Sequence, residues 1–202
     1  GFDGFMQDIV AMRRDRVVAV PDGIDDYVAA FTELVSVSYH AIDRFDRKAH
    51  GRRDVLGVWG DGNLAFITSL LLKKRFPKSK VYIFGKHEYK MDDFVFADET
   101  YFIDAIPEDL RIDHGFECVG KAGSGTSINQ IIDYINPEGC IAALGVSEDP
   151  VPINTRMILE KGLTLYGSSR SSADDFRHLL QFYKEHPEVV DYLSSIIGEI
   201  VE

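Results

Sequence analysis

A chain of 202 residues holds one large domain, or one domain with an extra lobe, and its 45% hydrophobic content supplies a core and excludes disorder. A net charge of −11 argues against a nucleic-acid partner and against long-range steering of an anionic substrate, so any anion site must be local. No apolar run reaches the ~20 residues of a membrane span, and the start, GFDGFMQDIV, lacks the basic and apolar regions of a signal peptide.

That start also falls in mid-pattern, as a trimmed piece would. Within Phe5–Val20 the β-branched residues predict two short strands, ended by the turn Pro21-Asp22-Gly23. Asp25 or Asp26 then caps a helix running to about Phe45. Val28, Phe31, Val35, Tyr39 and Ile42 form one apolar stripe on it. Ala29, Glu33, Val37, His40 and Ala41 form a second, so the helix is expected to pack on two sides. Glu33 would then be a mostly buried carboxylate and His40 a packed helix residue. The basic cluster Arg44, Arg47, Lys48, Arg52 and Arg53 reads as cations near the helix C-terminus and in a solvated linker.

From Asp54 the period changes. Val55–Trp59, Val81–Phe84, Tyr101–Ile103, Gly115–Cys118, Cys140–Leu144 and Leu163–Tyr166 are short apolar runs. Helical patterns separate several of them: Asn63–Arg75, a weak one around Tyr89–Phe96, and Thr126–Ile135. Strands alternating with helices predict an α/β fold, a doubly wound parallel sheet covered on both faces. Ser172–His186 and Glu188–Ile197 read as two closing helices, with Pro187 at the first position of the second. Cys118 and Cys140 lie in or at the end of apolar runs and are expected to be buried thiols of a reducing cytoplasm. No Cys-x-x-Cys pair encodes a structural zinc lobe.

Gly60-Asp61-Gly62-Asn63-Leu64-Ala65 fits G-x-G-x-x-A between a strand and a helix. The first Gly permits the tight turn, the second lets a pyrophosphate approach the backbone, and Ala65 lets helix and strand pack closely. Helix N-terminal amides would face the phosphates. The second strand ends at Gly85-Lys86-His87, without the acidic residue that accepts from a ribose 2′-OH. Lys86 and His87 could bind a 2′-phosphate, which favours NADP(H); the alternative keeps Lys86 solvated and has Glu88 serve the ribose. Cys118-Val119-Gly120 and Leu144-Gly145-Val146 end two further strands, where ligands meet an open α/β sheet, though plain turn chemistry also explains those glycines.

Together these residues resemble the medium-chain dehydrogenase/reductase superfamily. GFDGFMQDIVAM, TELVSVSYHAI, NPEGCIAALGV and EKGLTLYGSSRSS carry the resemblance across almost the whole chain. VWGDGNLAF, FGKH, ECVG, NTRMILEKGL and GSSRS narrow it to the ribulose-5-phosphate reductases, or ribitol-5-phosphate dehydrogenases. The resemblance implies a Rossmann fold preceded by a short β segment from a GroES-like catalytic domain. It implies NADPH-dependent reduction of a ketose phosphate at a zinc ion, for teichoic acid or capsule precursors. The main zinc ligands of that family have no counterpart here, so residues 1–23 are expected to be a catalytic-domain remnant. Residues 24–186 would form the NADP(H)-binding domain and 187–202 a helix leading back to the catalytic lobe.

On the same resemblance, Glu33 matches a position near the metal of the intact enzyme, and Ser168-Ser169-Arg170 lies near the nicotinamide, with Arg170 a candidate phosphate ligand. The edge strand Leu163–Tyr166 would pair with its twin in a homodimer. Another polyol dehydrogenase and a non-catalytic nucleotide sensor are the alternatives.

Overall fold

Six parallel strands form one sheet in the order β3-β2-β1-β4-β5-β6. They are β1 Val55–Trp59, β2 Lys80–Gly85, β3 Glu99–Phe102, β4 Ile112–Glu117, β5 Ile135–Ala143 and β6 Thr164–Gly167. The computed structural model describes residues 8–198. Parallel strands need crossovers; α2 Asn63–Arg75, α3 Glu88–Met91, α4 Gly123–Tyr134 and α5 Thr155–Glu160 lie in four of the five, and with α1 Asp26–Lys48 before β1 and α6 Ala173–Glu185 and α7 Pro187–Ser195 after β6 they cover both faces. The order is that of a doubly wound Rossmann sheet, as expected from the alternation.

One face packs against α1, α2, α6 and α7 around Val35, Phe45, Leu70, Phe116 and Leu179. The other packs against α4 and α5 around Trp59, Phe84, Ile131 and Ile141. Residues Ala65 to Leu72 of α2 are all buried, because α2 lies between the sheet and the helices α1 and α7. Asp25 caps α1 by accepting from the Tyr27 amide at 2.9 Å, as the sequence predicts. The capping box Ser172–Asp175 opens α6.

Three expectations are corrected. No strand forms among residues 8–20; a 3-10 turn at Arg14–Arg16 is the regular element there. Val17 and Val20 are exposed, because a β-branched run becomes a strand only with a neighbour to pair with, and none of the six strands reaches it. The GroES-like β segment is therefore absent from the described residues, and Phe5 to Gln7 lie outside them. Glu33 is exposed on α1 rather than buried: of the second stripe only Ala41 is buried, and the helix packs inward through Val28, Thr32, Val35 and Ser36 instead. The short helix α5 was not anticipated: half-buried Met157 and Ile158 are its only inward residues.

The basic cluster is structural. Arg53 pairs with Asp46, Arg47 with Asp43, and Arg52 with Asp113 at 2.8 Å. Asp113 opens β4 and also accepts from the amides of Asp54 at 2.8 Å and Val55 at 3.1 Å. Burial raises its pKa, but these bonds and that from Asn136 hold the carboxyl below 3.8.

Beside it, His114 is fully buried. Its Nδ1 accepts from the Cys140 amide at 3.0 Å, so Nε2 donates to the Arg52 carbonyl at 2.9 Å. Burial and the neighbouring His50 push its pKa from 6.5 down to about 4. A depressed histidine contributes stability that is complete above 6.5 and is lost as pH falls from 6.5 toward 4. Unfolding free energy from urea titrations should therefore drop by about 2 kcal/mol between pH 7.5 and pH 5. Asp61, Asp113 and Asp175 are held below 3.8, so their losses come only below that window. A flat profile from pH 7.5 to 5 would contradict the buried, neutral assignment.

Candidate coenzyme site

The site lies where the chain leaves the carboxyl ends of β1 and β4, the point at which strand order reverses. Trp59, the last residue of β1, stacks on Phe84 of β2 with ring centroids 3.8 Å apart, and its Nε1 donates to Gln130 of α4 at 3.0 Å. This anchors the strand tip below the elbow. Gly60 then takes φ +132°, a conformation that excludes other residues, and a Cβ there would meet the Cys118 carbonyl at 3.1 Å and Ala65 at 3.2 Å. Gly62 is the N-cap of α2, and nothing lies within 4 Å of where its Cβ would be. A tight first glycine and an open second one fit a pyrophosphate drawn against the backbone. The N-terminus of α2 carries no acidic residue and its last turn carries Lys73, Lys74 and Arg75, so helix dipole and charges leave the start of the helix favourable to an anion. Asn63 is exposed and Leu64 half-buried at that start.

Asp61 does something the motif alone does not reveal. Its Oδ2 accepts from the backbone amides of Lys86 at 2.8 Å and His87 at 2.9 Å, and meets His87 Nδ1 at 2.8 Å. Burial works against the charge, yet the bonds from Lys86 and His87 keep the carboxyl below 3.8. The elbow after β1 is thereby tied to the tip after β2. The Lys86 and His87 side chains remain exposed there. Gly85 packs directly beneath, with Met91 of α3 and Asp61 around its α-carbon.

Glu117 ties the other two loops. It is fully buried, and its Oε1 accepts from the amides of Val119 at 2.9 Å and Gly120 at 2.7 Å. Its Oε2 accepts from the Gly145 amide at 3.2 Å. The Leu144 amide bonds the Glu117 carbonyl at 2.9 Å, and the Lys121 amide bonds the Val146 carbonyl at 2.6 Å. Cys118-Val119-Gly120 and Leu144-Gly145-Val146 are thus brought together over the ends of β4 and β5. Val119 and Val146 are exposed at the surface of this pair, while Cys118 and Leu144 are buried. Sequence reading quoted this loop but missed the carboxylate; the available signal was an acidic residue at the end of an otherwise apolar strand.

A cleft of about 190 Å³ runs between these ties, lined by Gly60, Asp61, Lys86, His87, Ile103 and Val119 and floored by Thr126 and Ser127 of α4. Of the expected site residues, Gly60, Asp61, Gly85, Lys86, His87 and Val119 meet here, while Gly62, Asn63 and Leu64 stand at the adjoining start of α2. Ser168-Ser169-Arg170 continues past β6, where the Ser168 amide bonds the Ala143 carbonyl at 3.2 Å. Ser168 is buried with its hydroxyl unpartnered among the described residues; Ser169 and Arg170 are exposed, Arg170 at φ 66°.

The remaining reactive groups are quiet. Burial pushes the Cys118 thiol up to about 12 and the Cys140 thiol up to about 11, so neither is a thiolate near neutrality. His40 packs as expected, its Nδ1 3.1 Å from Asp175. Among the described residues no three His, Cys, Asp or Glu side chains form a group that could hold a metal, and exposed Glu33 gathers none. No step through zinc is therefore assigned to these residues.

The chain is 59% identical over 198 residues to the ribulose-5-phosphate reductase of Bacillus spizizenii, covering 98% of this chain and 58% of that protein. It is 54% identical over 202 residues to ribulose-5-phosphate reductase 1 of Staphylococcus aureus, covering all of this chain and 59% of that one. The crystal structure of S. aureus TarJ in complex with NADPH superposes with a TM-score of 0.94 at 54% identity, over 99% of this chain and 64% of that one. The chain thus spans about three fifths of the length of these relatives. The family model described as zinc-binding dehydrogenase matches residues 84–185, from the tip of β2 through α6. With the glycine elbow and the sheet order already in place, this chain belongs to the zinc-binding dehydrogenase family.

Proposed function

We propose that this chain is the coenzyme-binding part of an NADPH-dependent ribulose-5-phosphate reductase, which makes ribitol 5-phosphate for teichoic acid or capsule precursors. The observation that carries this reading is the cleft between the Gly60–Gly62 elbow and the Lys86-His87 tip, in a chain 59% identical to a reductase of that name. Gly62 and the first amides of α2 would hold the pyrophosphate. Lys86 and His87 would hold the 2′-phosphate; the one carboxylate at this tip, Asp61, is already engaged by the Lys86 and His87 amides and the His87 ring. Val119 and Ile103 would wall the adenosine half, and the loops after β5 and β6 would face the nicotinamide half. The coenzyme supplies a hydride to the ketose carbonyl; the chain supplies binding, orientation and a dry wall.

Two further parts of the reading concern surroundings. β6 pairs with β5 alone, and its other edge is proposed to meet a second copy in a homodimer. No helix among the described residues is long and apolar enough to cross a membrane. Both cysteines are free, which supports a cytoplasmic setting.

Fluorescence titration should give NADPH a dissociation constant at least about tenfold below that of NADH, the size expected of a charge-assisted phosphate contact. The full-length protein should reduce ribulose 5-phosphate in preference to unphosphorylated ketoses. Tighter binding of NADH, or a preference for an unphosphorylated polyol or ketone, would overturn the assignment.

A further inference from the structure

The bond between Asp61 and His87 goes beyond tying two loops together. A carboxylate can only accept, so His87 Nδ1, 2.8 Å from Asp61 Oδ2, must carry a hydrogen. In the neutral ring the remaining nitrogen, Nε2, then holds only a lone pair. That nitrogen is the one left for the cleft and solvent, since Nδ1 is turned to the elbow and the side chain is half exposed. A neutral His87 fixed in this tautomer presents an acceptor to any anion in the cleft. Only the doubly protonated ring presents a donor and a positive charge.

Resting on the NADPH reading above, we infer that Asp61 is a positioning residue for coenzyme selectivity: by fixing the tautomer of His87 it makes recognition of the 2′-phosphate depend on protonation of that ring. Lys86 offers the phosphate an ammonium group, and the His87 ring offers it a donor only when both ring nitrogens carry hydrogen. Selectivity for the phosphorylated coenzyme therefore rises as pH falls through the range where histidines charge.

The ionisable groups around His87 are few. Asp61 faces it from the elbow, Lys86 and Glu88 flank it in sequence, and Tyr89 and Lys90 stand on α3, with the Tyr89 ring centroid 5.9 Å away. The opposite wall, Ile103, Val119 and Thr126, carries no charge. Asp61 is thus the neighbour with a direct bond to the ring, and it acts on the nitrogen that the phosphate would not use.

The test measures NADPH and NADH binding by calorimetry at pH 6 and pH 8 for the parent chain, His87→Ala and Asp61→Ala. The coenzyme phosphate itself titrates near pH 6, so the comparison between variants, not the raw slope, carries the result. The parent should bind NADPH about tenfold more tightly at pH 6 than at pH 8 beyond any change seen in His87→Ala, with NADH flat in both. Asp61→Ala removes the acceptor and frees the ring to carry its hydrogen on Nε2, so its NADPH binding should differ less between pH 6 and pH 8 than the parent's. Independently, nitrogen-15 shifts of His87 in the coenzyme-free protein should report the Nδ1–H tautomer in the parent and its loss in Asp61→Ala. Parallel pH profiles for the parent and His87→Ala, or an Nε2–H tautomer in the parent, would overturn the inference and leave the coenzyme reading standing. NADPH binding no tighter than NADH at either pH would overturn both.

Discussion

Gly62→Asp should leave the fold as stable as the parent, or a few tenths of a kcal/mol more stable, while weakening NADPH binding by more than about a hundredfold. The two halves of this expectation come from different sides of one residue. On the protein side, Gly62 is the N-cap of α2 at φ −101°, which any residue adopts, and open space surrounds its α-carbon. Aspartate is a better N-cap than glycine because its carboxylate accepts from the exposed amides of the first turn. On the ligand side the same carboxylate takes those amides away from the pyrophosphate and puts a negative charge against it. Two unit charges 4 Å apart repel by about 4 kcal/mol near a protein surface, more than the roughly 2.7 kcal/mol that a hundredfold requires. Thermal denaturation and fluorescence titration of one preparation read both halves. Parent-like NADPH binding by a folded Gly62→Asp would place the pyrophosphate away from the elbow.

Glu117→Gln is the second large effect, this time on stability. Three amides, those of Val119, Gly120 and Gly145, end on this buried carboxylate from two loops. Glutamine matches its shape but offers one accepting atom and one donating group. Turned toward Val119 and Gly120, its NH2 would strand two amides; turned toward Gly145, whose amide also bonds the Glu117 carbonyl at 3.1 Å, it strands only itself. An unpaired buried donor costs about 1–3 kcal/mol, so unfolding in urea should show a loss of roughly 1–3 kcal/mol. NADPH affinity should fall as well, because Val119 lines the cleft. A change within about 0.5 kcal/mol, the range of an ordinary surface substitution, would mean that the loops do not depend on this carboxylate.

These two residues show what could be read from the sequence and what could not. Gly62 was legible because its role is local: strand, turn and helix follow one another within a few residues. The same holds for the six strands and for the Asp25 cap, whose hydrophobic period or capping chemistry is written nearby. The ties made by Asp61 and by Glu117 to Gly145 are not legible, because they reach backbone amides 25 to 28 residues away, and even the nearby Val119 and Gly120 amides carry no side-chain signature. The N-terminal strands failed for a related reason. Val17, Val18 and Val20 favour extended backbone, but a strand is a property of a pair, and the sequence of one member does not say whether the other is present. Glu33 stands on a second stripe that is only partly apolar, and of that stripe only Ala41, two turns on, is buried. The helix α5 is too short to show a period.

Strand β4 holds a carboxylate at each tip, Asp113 at its start and Glu117 at its end, and each grips amides of neighbouring segments. Sliding this strand against β1 or β5 by even one position would drag Asp113 off the Asp54 and Val55 amides and Glu117 off the Gly145 amide. Misaligned arrangements of the sheet are thereby penalised twice, at opposite rims of the molecule. The middle of the sheet acts like a rod clamped at either end, and the alignment that brings the ligand-facing loops together is chosen by the same two clamps.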